Sequence, residues 1–380
     1  MAPRPCWAEI SLSQLKENLA IIRRHIGPER KVLAVVKADA YGHGAVPVSR
    51  ALEEARVDAL GVACVAEGIE LRQAGIRAPI VVLTGFFPGE EKDLIAHDIT
   101  SGITEVGQVE RLEKAAGGKR TRIHVKIDTG MGRLGVPCSD IPRLLDWLAT
   151  SPSLELEGLY THFASSEDFT SPQTDEQVRC FEKAREQFAA RGLRPPLIHM
   201  ANTGAIVARP EAWGTMVRPG SMLYGYLSFF KFPAGRDRSA EFAAQLPVKP
   251  ALTLKAQVYL IREYAANAPL GYGANFVTQR PSRIAVLPIG YGDGWRRGLS
   301  GRCRVLVRGQ FAPTVGTIGM DLTLADVTDV PGAQPGDEVM LIGTNGKASI
   351  LPTEPARALG TVASEVLSGL TKRVPRVYRD

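Results

Sequence analysis

Lys37 lies in the segment 31–44, KVLAVVKADAYGHG. Its apolar run is too short for an amphipathic helix and reads as a strand buried on both faces, as parallel strands of α/β proteins are. Strand parity sets Lys37 on the face of Leu33 and Val35, at the strand's carboxyl end, before a Gly-containing turn with Tyr41 and His43. That is the end where α/β barrels and open sheets do chemistry. Burial favours the neutral amine, a nucleophile towards a carbonyl or an aldehyde cofactor. The competing reading is a lysine that ends a strand and reaches water.

Other segments end the same way. In RIHVKIDTGMGRLG, Val125 and Ile127 face outer helices, which leaves His124, Lys126 and Asp128 for a barrel interior. The turn that follows presents Arg133, and glycines on each side of 131–133 suggest a close approach there; a plain surface arginine is the alternative. His162 ends LEGLYTHF, a position that taken alone suits a hydrogen-bonded structural histidine. HMANTGA offers the Thr203 hydroxyl, and VRPGSMLYG offers Gly220 and Ser221 with Arg218 beside them, a combination suited to a phosphate. Arg218 could pair with that phosphate or with a ring nitrogen of a cofactor. A lysine, a phosphate cradle and several arginines together point to pyridoxal 5'-phosphate held as a Schiff base.

The elements that would position these residues alternate regularly. A helix is expected over 11–25, with Ser11 and Gln14 spaced as a capping box and Gly27 and Pro28 as its stop. Strands are expected at 31–37, 59–65, 79–85, 99–104, 122–128, 156–163, 197–203 and 216–224, with helices between them at 46–55 and, most clearly, 171–191. Eight strands alternating with helices in about 240 residues argue a (β/α)8 TIM-type barrel. The segment 229–249 reads as a linker or weakly ordered extension, and 228–246 as irregular. From residue 251 short strands dominate: LTLKAQVYLI, RIAVLPIG, CRVLVRG and DEVMLIG, with one helix at 354–370. The expected domains are therefore a barrel over 1–240, binding the cofactor, and a C-terminal mainly-β domain over 241–380.

Composition narrows the function class. Hydrophobic residues are 44% and charged residues 23%, ordinary for a soluble globular protein, and no apolar run reaches the ~18 residues of a membrane span. The opening MAPRPCWAEI lacks a signal-peptide pattern, so a cytoplasmic location is expected. The five cysteines are scattered, never as CxxC, which suggests neither a disulfide framework nor a metal site. The net charge of +6 is spread without a basic block interleaved with aromatics, so small anions rather than nucleic acid are the expected partners.

AVVKADAYGHG, KIDTGMGRLG, THFA, HMANTGA, MVRPGSMLYG, TLKAQV, GYGANF, IGYGDG, TIGMD and RVPRVY, in this order, resemble the alanine racemase family of fold-type III pyridoxal-phosphate enzymes over nearly the whole chain. The resemblance implies interconversion of L-alanine and D-alanine by two bases, supplying D-alanine for peptidoglycan. It makes Lys37 the cofactor lysine and Tyr272 the second acid/base. Arg133 would contact the cofactor's phenolic oxygen and the substrate, and Arg218 the pyridine nitrogen, supported by His162. Tyr41, Thr203, Gly220 and Ser221 match the phosphate shell, Met320 the position whose backbone meets the substrate carboxylate, and Asp321 and Tyr291 the entrance. Lys126 matches a lysine that some members carry as a carbamate. The resemblance also implies a homodimer in which the β domain completes the partner's active site. A phenol is a poor base at neutral pH without nearby positive charge, which His162 or Arg133 could supply. Asp39 departs from the family's usual Asn, and Lys372 from a tyrosine found before RVPR in some members. The alternatives are a broad-range or serine-preferring racemase of the same fold and a non-catalytic pyridoxal-phosphate carrier, which would need neither Tyr272 nor the β domain.

Overall fold

The computed structural model describes residues 4–227 and 229–380; residues 1–3 and Ser228, the first residue of the irregular extension, lie outside them. The chain divides into two compact units. One holds Leu15–Ala40 and Ala45–Lys249. Its eight parallel strands are Lys31–Val35, Ala59–Val62, Ile80–Val82, Thr100–Ile103, Thr121–Asp128, Leu154–Tyr160, Leu197–His199 and Met216–Val217. From Lys31–Val35 to Leu197–His199 each pairs with the next in sequence, and Met216–Val217 returns to pair with Lys31–Val35. The remaining seam has no ladder. It is stitched by Thr215 N–H to the Ile198 carbonyl (2.9 Å), Ile198 N–H to Thr215 Oγ1 (2.8 Å) and Arg218 N–H to the Ala201 carbonyl (2.9 Å). The result is a nearly closed (β/α)8 barrel.

The strands bear out the expected eight in number and order, and most are shorter than the pattern suggested. Met216–Val217 keeps only two of nine expected residues, because Gly220 leaves extended geometry and Ser221–Tyr224 coils as a 3-10 turn. The helices follow their capping chemistry. Leu12–Ile26 starts at Ser11, whose Oγ accepts the Gln14 N–H (3.1 Å). Gln173–Ala190 begins after Pro172, and Gly192 (φ 76°) turns the chain beyond its end. The extension holds one short helix, Ser239–Gln245, whose Phe242 is buried against Phe230 and Phe232.

The other unit holds the described residues up to Gln14, Tyr41–Gly44 and Pro250–Asp380. Its sheet runs Leu260–Tyr264, Ser282–Leu287, Thr323–Asp326, Gln310–Val315, Arg304–Val307, Glu338–Asn345, Leu252–Gln257, Cys6–Ser11, Arg376–Arg379. The expected continuous strand LTLKAQVYLI is two strands. Val258 N–H turns to the Asp337 carbonyl and Tyr259 N–H to the Val286 carbonyl (both 2.9 Å), so the chain changes partners between them. The expected helix at 354–370 is likewise two, Thr353–Leu359 and Ala363–Ser368, because Gly360 caps the first at φ 70°. The units also divide otherwise than the expected 1–240 and 241–380. Cys6–Ser11 is a strand of the β sheet, next to its edge, antiparallel to Leu252–Gln257 and parallel to Arg376–Arg379, and the break falls at Lys249.

Candidate active site

Lys37 stands just past its strand, not in it. Val35 N–H bonds the Pro219 carbonyl (3.1 Å) and Val36 N–H the Gly61 carbonyl (2.8 Å), and the pairing ends there. The chain then makes one left-handed turn. Ala38, Asp39, Ala40 and Tyr41 have φ of 53°, 53°, 52° and 55°, and Gly42 81°. Such a conformation costs an L-residue roughly 1–2 kcal/mol each, so the turn must be held. Glu67 accepts the Ala38 and Ala63 N–H groups (2.7 Å each), Ala40 N–H reaches the Val36 carbonyl (2.9 Å), and Asp39 Oδ1 accepts the Ala45 N–H (2.6 Å). Asp39, the departure from Asn, thus serves as an acceptor, which either side chain can provide. Below the turn, Tyr224 Oη donates to the Val35 carbonyl (2.8 Å).

Around the carboxyl ends of the strands, cations gather. Arg218, 3% exposed, donates to the carbonyls of Thr161 (2.7 Å), Met200 (3.1 Å) and His199, and contacts His199 Nδ1 (3.1 Å) and His162 Nδ1 (3.2 Å). Its charge is held by backbone oxygens instead of a carboxylate, and burial lowers its pKa to about 10. Behind it, His199 stacks on Tyr160 and meets His124 Nδ1 at 2.9 Å, and His124 Nε2 meets Glu157 at 3.0 Å. Lys126, 5% exposed, sets its amine 5.9 Å from the Tyr160 ring centre and has no ion pair among the described residues. Burial, then Arg218, Arg133 and Lys37, push its pKa down to about 8 against the pull of Asp128. The Lys37 amine is lowered by burial first and by Arg133 and Arg218, with Glu67 opposing.

Arg133 rides on the loop after Thr121–Asp128. Asp128 Oδ1 shapes it by accepting the N–H groups of Gly130, Met131 and Gly132 (3.0, 3.0 and 3.1 Å). The arginine side chain is exposed, yet its charge is felt at Lys37, Lys126 and His162. Across the seam, Thr203 Oγ1 accepts the N–H groups of Gly220 (3.2 Å) and Met222 (3.5 Å), which draws Thr203 to the turn of Gly220 and Ser221. The opposing carboxylates Glu67 and Asp128 are occupied by backbone N–H groups, so the donor set is net positive and contains an amine that can be neutral. That chemistry suits an anionic ligand bearing an aldehyde.

In the β unit, Tyr272 opens the short turn Tyr272–Ala274 between Gly271 (φ 73°) and Gly273 (φ 69°), with Thr317 Oγ1 donating to its carbonyl (3.3 Å). Tyr272 is 70% exposed and Met320 53%; with Thr317, Asp321 and Leu322 they line a cavity of about 470 Å³. Tyr291 N–H bonds the Gly319 carbonyl (3.0 Å) and Gly292 N–H the Met320 carbonyl (2.9 Å), fastening the entrance segment to TIGMD. Asp321 accepts from Arg373 (2.6 Å).

Two family models match, the alanine racemase N-terminal domain over residues 10–228 and the alanine racemase C-terminal domain over 251–378. The chain belongs to the alanine racemase family. It is 40% identical to the alanine racemase of Sorangium cellulosum over 99% of this chain and 100% of that one, and 39% identical to that of Geobacter sp. M21 over 100% of both. Among solved structures, the alanine racemase from D-cycloserine-producing Streptomyces lavendulae superposes with a TM-score of 0.91 (32% identity, 100% of this chain, 98% of that one). A cycloserine complex of the Clostridium difficile enzyme gives 0.87 (32% identity, 100% and 96%).

The predicted site residues therefore fall into two groups, one per unit. Lys37, Lys126, Arg133, His162 and Arg218 influence one another electrostatically, and Thr203 joins Gly220 and Ser221. Tyr272, Met320, Asp321 and Tyr291 form the other group, while Tyr41 closes the left-handed turn four residues after Lys37. One expectation is overturned. His162 cannot supply positive charge to a tyrosine, because burial, then Arg218, Lys126, Arg133 and Lys37, push its pKa down to about 2 and keep it neutral. Among the residues missed, His199 carried the same signal as His162, a histidine at the end of an apolar run. Glu67 carried none, since its partners are backbone groups.

Proposed function

We propose that this chain interconverts L-alanine and D-alanine with pyridoxal 5'-phosphate, as a cytoplasmic homodimer with shared active sites, and so supplies D-alanine for peptidoglycan. The observation that carries the reading is the net-positive barrel mouth with the depressed Lys37 amine at its centre. When bound, the cofactor supplies an electron sink that acidifies the hydrogen on the substrate's α-carbon. Lys37 would hold the cofactor through its aldehyde, and its Nζ would take the proton from D-alanine Cα. Tyr272 Oη serves the opposite face and takes it from L-alanine, since one base cannot easily reach both. Arg218 would hold the cofactor's pyridine nitrogen while keeping its own proton, with neutral His162 steadying the guanidinium. Tyr41, Thr203, Gly220 and Ser221 would hold the phosphate; Arg133 would meet the phenolic oxygen and the substrate; Met320, with Asp321 and Tyr291 at the entrance, would receive the substrate carboxylate.

Lys126 completes the mouth as a carbamate. Its lowered amine can add carbon dioxide with loss of a proton, and the resulting negative charge can hold Arg133, seven residues along. Density for a plain amine in crystals grown with bicarbonate would reject this.

The test of the reaction is to incubate the protein and pyridoxal phosphate with single L-amino acids and separate the enantiomers. Alanine is converted fast and serine much more slowly; equal rates for lysine or arginine would make the enzyme a broad-range racemase. Lys37→Ala loses the visible absorption of the bound cofactor and nearly all turnover. Retained absorption that borohydride fixes to another lysine would refute the assignment.

A further inference from the structure

Cys138 and Cys180 stand 42 residues apart in sequence, and their sulfurs lie 2.9 Å apart. Both are free thiols, half-buried. Cys138 opens the 3-10 turn Cys138–Asp140, at the far end of the loop that carries Arg133; Cys180 lies in the helix Gln173–Ala190. One turn earlier on that helix, Gln177 Nε2 donates to Thr129 Oγ1 (3.2 Å), at the near end of the same loop, and to the His162 carbonyl (3.1 Å). One helix therefore grips the loop at both ends, by a hydrogen bond at Thr129 and a sulfur contact at Cys138.

We propose that Cys138 and Cys180 form a reversible dithiol–disulfide pair, closed by a peroxide, that tethers the Arg133 loop to the helix Gln173–Ala190. A pair of thiols already in contact needs little backbone movement to join, and in a reducing compartment such bonds are characteristically transient and redox-sensing. Burial, then Cys180 and Asp128, raise the Cys138 thiol. One of the two sulfurs attacks a peroxide oxygen as its thiolate, the O–O bond breaks, and the leaving hydroxide takes a proton to become water. The other sulfur then attacks the resulting sulfenic acid. The S–S bond forms, the S–O bond breaks, and the departing hydroxide takes the second thiol's proton as a second water. Two thiols are oxidised while hydrogen peroxide is reduced by two electrons. A dithiol reductant reverses the change by exchange. The pairing stands whether or not Arg133 meets a ligand.

The experiment uses the purified full chain, treated with hydrogen peroxide and then alkylated under denaturing conditions and digested. Two of the five thiols should be lost, recovered as one Cys138–Cys180 linked peptide lacking two hydrogens and restored by dithiothreitol. In Cys180→Ser no link forms. Amide exchange across residues 129–137 should slow in the oxidised parent and stay unchanged in peroxide-treated Cys180→Ser. Unaltered alkylation of Cys138 and Cys180, or linkage of either to Cys6, Cys64 or Cys303, overturns the pairing. A correct link with unchanged exchange overturns the tether.

Discussion

His162 illustrates how one side chain is set by its neighbours. It is kept neutral by burial and by cations, with a folded pKa of about 2 against an ordinary 6.5, and the buried His199 and His124 are lowered as well. Above pH 6.5 the folded and unfolded chains are equally uncharged at these rings. Below it, the unfolded chain gains protons that the folded chain refuses, so stability falls as pH drops, by up to about 1.4 kcal/mol per unit for one such ring. Urea midpoints at pH 7 and pH 5 read this directly. His162→Gln should lose about 2 kcal/mol less than the parent between those values. Equal losses would mean that the folded protein protonates His162 after all.

The loop carrying Arg133 is an element whose glycines do different things. Gly132 has φ 68° with nothing within 4 Å of an added Cβ, so Gly132→Ala meets backbone strain alone, about 1 kcal/mol. Gly135 has φ 128°, and a Cβ there would sit 2.6 Å from Asp128 N and 2.9 Å from Ile127 C. Those atoms belong to the strand Thr121–Asp128 and cannot yield without unpairing it. Gly135→Ala should therefore destabilise by roughly 3 kcal/mol or more, and thermal or urea unfolding of the two variants side by side checks the ranking. Equal costs would show that the loop moves freely off the strand end. The same element logic applies to the strained turn after Lys37: the strain is met by Glu67, Asp39 and the strand beneath, which sets the Lys37 amine just past a rigid edge.

For the whole molecule, the β unit exposes Tyr272, Met320 and Leu322 on one face. Apolar groups clustered in this way on a surface favour a covering partner, and a two-fold dimer would cover both copies at once and exclude water from each site. Lys37→Ala and Tyr272→Ala proteins, each inactive alone, would be unfolded together and refolded as a mixture. With shared sites, a mixed dimer combines one chain's intact Lys37 with the other's intact Tyr272, and activity returns at one of its two sites. Mixed dimers that form and stay dead would place each site within a single chain.

Residue order sufficed for the barrel's eight strands and for the helix starts at Ser11 and Pro172. These are set by short-range physics: apolar periodicity, capping side chains and glycine turns act within a few residues. What depends on distant partners was not legible. The strand Cys6–Ser11 pairs with Leu252–Gln257 and Arg376–Arg379, so no pattern near the N-terminus could assign it to the β unit. The left-handed turn after Lys37 looks locally like any turn before a glycine, and part of what sustains it is the reach of Glu67 from 29 residues away. The neutrality of His162 and the meeting of Cys138 with Cys180 have the same origin. A pKa or a sulfur contact is decided by which strands and helices close around it, and that is a property of the folded barrel alone.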